Sequence, residues 1–173
     1  CFPDGSLYVA GRSGSGAVDD SRRIAELVYR NLGVLTDVTT TLDTHFAHQI
    51  FFPSFWLDRA DRPPAPYQVI SADQVAAGEL RPNPAIARWL CNGNYAWLVA
   101  QVTDYCRQLE RAGKYQLYLW PPHCLLGSDG HALAGVIHEA RLFHAYARSA
   151  QSWCEVKGGN PLTENYSVLR PEV

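Results

Sequence analysis

Two short segments carry the residue types from which a metal centre is built. Trp120-Pro121-Pro122-His123-Cys124 offers an imidazole just beyond a rigid Pro-Pro step, and Asp43-Thr44-His45, far upstream, offers a carboxylate and a second imidazole. Two nitrogens and one oxygen suit a single divalent cation, with water free to complete the shell. Either segment alone is weak, because an Asp and a His two apart arise by chance and a histidine after two prolines can serve only a turn. His48 offers a further nitrogen or a surface role, while His131, His138 and His144 fall on or near an apolar-patterned helix and are assigned no chemistry. Lys157, ahead of Gly158-Gly159-Asn160-Pro161, is an ammonium that a cleft would hold or solvent would bathe. Phe2, Trp120 and Tyr166 are candidates for an aromatic-binding wall, or equally for core packing.

These side chains need elements to position them. Asp19 or Asp20 is placed to cap a helix whose Ile24, Leu27, Val28 and Leu32 recur at helical spacing, with Gly33 as its stop. Val38–Leu42 is β-branched and short, a strand that delivers Asp43 at its C-terminal end. Leu98, Val102, Tyr105, Cys106 and Leu109 form a second helical stripe ended by Gly113, and Tyr115–Leu119 is a strand that leads to His123. Leu133, Val136, Ala140, Phe143 and Ala147 mark a third helix, and Trp153–Val156 a third strand before Lys157. Between them, residues 49–94 mix aromatics with Pro and Gly and read as an insertion with a short helix near Ala85–Leu90. Its Phe51, Phe52, Phe55 and Trp56 are expected in the core rather than in a lid. Helix and strand alternate, which argues for a parallel sheet covered by helices, with Asp43, His45, His123 and Lys157 at the carboxyl ends of its strands.

Composition bounds the partners. With 173 residues, 47% of them hydrophobic, the chain can bury the core of one domain. A net charge of -2 gives no basic stripe, so nucleic acid is not expected; no apolar run is long enough for a membrane helix, so neither is a membrane. A small molecule and a second copy of the chain are the expected partners. The five cysteines are odd in number and lack paired spacing, which favours a reducing, cytoplasmic setting over disulfides or a thiolate zinc site. Asn165-Tyr166-Ser167 matches a glycosylation sequon and is set aside for want of an export signal. The first residue is Cys and there is no Met, so the chain reads as processed or as a fragment.

Taken together, the segments resemble the isochorismatase-like cysteine hydrolases, and among them the nicotinamidases. The likeness runs through Cys1-Phe2-Pro3-Asp4-Gly5-Ser6-Leu7, Asp43-Thr44-His45, Trp120–Gly127, Glu155-Val156-Lys157-Gly158 and Glu164-Asn165-Tyr166-Ser167. It implies a three-layer α/β/α Rossmann-like parallel sheet in one domain over residues 1–173, incomplete at both ends, with two central strands missing and edges exposed. It also implies that Asp43, His45 and His123 hold a divalent metal, zinc ahead of iron or manganese. Lys157 would be one member of a catalytic Asp-Lys-Cys set, and Phe2, Trp120 and Tyr166 would contact a small amide substrate. In such enzymes the Asp takes the thiol proton, the Lys favours the thiolate, and the Cys attacks the amide to expel ammonia. The family's Asp and nucleophilic Cys have no counterpart in residues 1–173, and Cys124 and Cys154 occupy other positions. Three alternatives stay open: another small-molecule hydrolase of the family, a non-catalytic metal- or ligand-binding remnant, and a chain whose Cys1 is an N-terminal nucleophile. The last sits poorly with alternating helix and strand, because such nucleophiles belong to stacked antiparallel sheets.

Overall fold

The computed structural model describes residues 2–113 and 115–173. In chain order it contains α1 (Gly16–Arg30), β1 (Thr40–Asp43), a 3-10 turn (Pro53–Phe55), β2 (Trp56–Asp58), β3 (Val69–Ile70), α2 (Ala72–Ala76), β4 (Leu80–Pro82), α3 (Pro84–Leu90), α4 (Tyr95–Ala112), β5 (Leu117–Tyr118), α5 (Gly135–Arg148) and β6 (Cys154–Lys157). The architecture is mixed α/β, and no helix among the described residues is long and apolar enough to cross a membrane. The chain forms two compact units, Cys1–Thr44 with His123–Lys157, and His45–Pro122 with Gly158–Val173.

In the first unit β1 and β6 pair in parallel, Thr40 opposite Cys154 through Asp43 opposite Lys157. The strand begins two residues later than the β-branched run suggests, and Asp43 still closes it. Helix α1 starts one residue after Ser15, with Asp19 in its first turn facing the positive helix end and Arg30 in the last. The N-cap position is thus Ser15 rather than Asp19 or Asp20, its hydroxyl donating to Asp19 Oδ2 instead of capping the backbone, and Asn31 rather than Gly33 follows the last turn. The inward face also differs from the apolar stripe. Ser21, Ala25 and Val28 are buried, whereas Ile24 and Leu27 are 41% and 60% exposed. Small residues face inward because α1 packs closely on α5, where Ala25 and Val28 meet Ala140 with Leu32, Leu35 and Val38 around them. On α5 the expected Val136 and Phe143 stay half exposed, and the buried positions are Ala140 and His144, whose Nε2 lies 2.9 Å from the Leu35 carbonyl. Parallel strands are ordinarily covered on both faces, yet Cys154, Glu155 and Val156 of β6 are exposed.

The second unit holds the larger core. Ile50, Phe52, Phe55, Trp56, Leu98, Val102 and Leu117 are fully buried, which places the aromatic run of the insertion in the core as expected. Trp56 donates its indole N–H to the Ile50 carbonyl at 2.6 Å, so its one polar atom is satisfied inside. Helix α4 buries Leu98, Val102, Tyr105, Cys106 and Leu109, the stripe read from spacing. Asn94 caps it by accepting from Trp97 N–H, and Gly113 at φ 67° ends it. Asn83 caps α3 likewise, with Pro84 in the first turn. β2 pairs with β4 and β3 with β5, both antiparallel. The strand leading to His123 thus pairs with Val69–Ile70 from the insertion, rather than extending the parallel pair of the first unit.

Candidate functional site

Parallel pairing brings the C-terminal ends of β1 and β6 to one level, and the register sets Asp43 opposite Lys157. Lys157 Nζ donates to Asp43 Oδ1, with the ammonium side chain 13% and the carboxylate side chain 38% exposed. A charge-assisted pair this sheltered is screened less than a surface pair. Thr44 N–H donates to the Lys157 carbonyl at 2.8 Å, which carries the ladder one residue past the strand. The Thr44 hydroxyl lies 2.8 Å from His131 Nε2, so the loop after His123 is fastened to this strand end. His131 was given no chemistry by sequence, and its only signal is its place in the Gly-rich turn ahead of α5.

Cys124 adopts a left-handed φ of 48° and is half buried in the same unit. Burial pushes its thiol up, the Asp43 carboxylate adds to that, and the Lys157 ammonium opposes it. The thiol is therefore the favoured form at neutral pH. His123 and Phe2 also belong to this unit, each half buried, and Phe2 accepts the Gly5 N–H at 3.0 Å.

His45 belongs to the second unit and is 5% exposed. Its ring stands edge-on to Phe51 and Phe52, with centroids 4.9 and 5.9 Å away, and Nδ1 lies 3.1 Å from the Gly158 carbonyl. Gln49 donates to the same carbonyl at 2.8 Å. Gly158 has φ 82°, and a Cβ there would stand 2.5 Å from His45 Cε1. Only glycine satisfies both the backbone and the ring. With Nδ1 donating to the carbonyl, the neutral ring is the Nδ1–H tautomer, the form whose Nε2 ligates metal.

No protein-family model matches the chain, and neither the curated proteins nor the solved structures give a match. Among the described residues no three His, Cys, Asp or Glu gather as a ligand set. Asp43 and His123 lie in one unit and His45 in the other. Two of the three inferred ligands have the donor chemistry a divalent ion takes: the His45 imidazole anchored on a backbone carbonyl, and the Asp43 carboxylate, whose two oxygens can serve the ammonium and a cation at once.

Of the three aromatics, Trp120 and Tyr166 come together in the second unit, the indole N–H donating to the Tyr166 hydroxyl at 3.1 Å. Tyr166 donates onward to Glu164 Oε1 at 3.0 Å, and Tyr105 donates to Oε2 at 3.3 Å. Glu164 is 3% exposed, and burial pushes its carboxyl up to about 7 despite both hydrogen bonds. Spacing gave no sign of this carboxyl, since a Glu between Thr and Asn in a polar loop reads as solvated.

Proposed function

We propose that the chain carries the lysine and the metal ligands of a nicotinamidase-like amidase, which hydrolyses nicotinamide or a similar small amide to the acid and ammonia. The observation that carries this reading is the Lys157–Asp43 pair at the aligned C-terminal ends of two parallel strands, where open α/β sheets hold their ligands. The proposal extends to the fold: the β1–β6 pair belongs to a three-layer α/β/α parallel sheet of the isochorismatase-like type. The exposed face of β6 supports that extension.

In this reading the carboxylate base and the nucleophilic thiol are those the resemblance implies, and neither Cys106 nor Cys124 is that thiol. Cys106 is fully buried with its thiol pushed up to about 12, by burial and then by Glu110 and Glu164, and Cys124 is likewise raised. Lys157, held by Asp43, lends positive charge that favours a thiolate over a thiol. The thiolate attacks the amide carbon, the C–N bond breaks as nitrogen takes a proton, and ammonia leaves. Water then cleaves the thioester to the acid. Asp43, His45 and His123 are the residues that would hold the cation; when bound, the ion would supply an anchor for the substrate's ring nitrogen and ordered water. Trp120 and Tyr166 would face the substrate ring, and Phe2 joins them by resemblance. The setting proposed is cytoplasmic.

The test is ammonia release from nicotinamide by the protein as encoded. Turnover is expected, with Lys157→Ala lowering kcat at least about a hundredfold, in the range typical of groups that act in proton transfer. No release by the unaltered protein sinks the reading. A ligand-binding protein without turnover is the second reading, favoured by the raised thiols of Cys106 and Cys124. Metal bound stoichiometrically without activity on a panel of small amides would support it.

A further inference from the structure

In the second unit Val69, Tyr115, Gln116, Tyr118, Trp120 and Tyr166 line an open cavity of about 360 Å³. This lies within the size range of small-ligand sites. Four of the six lining residues are aromatic. Tyr118 and Trp120 stand with centroids 4.7 Å apart and planes at 63°, and Tyr115 and Tyr166 at 5.5 Å and 87°. Rings so steeply inclined within each pair present π faces in more than one direction.

Two of the polar groups of this wall, on Trp120 and Tyr166, are committed to each other. The Trp120 N–H is spent on the Tyr166 hydroxyl and the Tyr166 proton on Glu164, which lies buried behind the wall. Among the described residues no charged side chain lines the cavity. An anion would meet ring faces of negative potential. A primary ammonium would bring several N–H donors to a wall whose hydroxyls are partly engaged. A fully alkylated ammonium has no N–H to satisfy and sheds water cheaply, and aromatic faces attract it, the more so once the Glu164 carboxyl behind them is ionised. We propose that this aromatic cavity is a binding site for a quaternary ammonium head group. The site uses residues of the second unit alone; it shares Trp120 and Tyr166 with the substrate wall of the amidase reading but does not rest on that reading.

Isothermal titration calorimetry of the whole chain with choline, and with its neutral carbon isostere dimethylbutanol, separates charge recognition from apolar filling. Choline is expected to bind about tenfold more tightly than the isostere, with Tyr118→Ala costing about tenfold and Tyr118→Phe little. Glu164→Gln is expected to weaken choline about threefold and leave the isostere unchanged. The Trp120 indole proton resonance, assigned by Trp120→Phe, should move on addition of choline. Equal affinity for the two ligands, no heat with millimolar choline, or full binding by a folded Tyr118→Ala protein overturns the proposal. Should Glu164→Gln fail to fold, the Tyr118 pair and the isostere decide alone, and ammonia release from nicotinamide reports separately on the amidase reading.

Discussion

Gly158 and Glu164 show how much a single position can depend on residues far along the chain. A methyl at 158 meets a φ of 82° and the His45 ring at 2.5 Å. Gly158→Ala is expected to cost about 2–4 kcal/mol, from left-handed strain plus overpacking, read as a lower urea midpoint with m unchanged. Glu164 gives a pH signature. Its carboxyl is raised from 4.5 to about 7 by burial. Between those values the folded state binds a proton the unfolded state has released, so stability falls as pH rises through this window and levels off above it. The loss is about 3 kcal/mol in all. Urea midpoints at pH 5 and pH 8 should show the fall in the unaltered protein, and Glu164→Gln should flatten it. The Asp43-x-His45 and Pro-Pro-His123 patterns were legible as donor sets from residue type alone. That Asp43 also meets an ammonium was not, because the pair joins positions 114 apart in the sequence.

Among the elements, α4 and α1 make opposite points. The stripe on α4 is the buried face, whereas α1 turns Ile24 and Leu27 outward and packs through Ser21, Ala25 and Val28. Hydrophobic spacing names a face correctly when the partner is a broad core. It misleads when a neighbouring helix comes close enough that small side chains must fill the contact. Leu98→Ala, at a fully buried site, is expected to cost about 2–5 kcal/mol, while Leu27→Ala should stay within about 0.5 kcal/mol. Equal costs in thermal or urea unfolding would show that α1 packs on its apolar stripe after all. The strands divide similarly. β1 and β6 were legible from β-branched and aromatic content, but β5 pairs antiparallel with a strand of the insertion, since period and propensity say nothing of the partner.

For the molecule as a whole, the two units are each built from segments distant in sequence. The first is closed by β1 with β6 and by α1 with α5. Pairing strands so far apart costs loop-closure entropy before any contact repays it. Amides of β1 and β6 are therefore expected to exchange hydrogen faster than those of α4, measured by exchange under native conditions. If the metal assignment holds, the protein as isolated should carry about one equivalent of zinc, iron or manganese by elemental analysis, and His123→Ala should lose it. Retention of metal by that variant would remove His123 from the ligand set. By itself the sequence determined the helices α3 and α4 and the strand content around Asp43 and Lys157. Each of those rests on side chains within a turn or two of one another. Only the tertiary structure decided which face of α1 is inside, which strand β5 joins, that Lys157 meets Asp43, and that Glu164 lies buried beneath an aromatic wall. Burial and register belong to segments brought together from afar, and no local pattern encodes them.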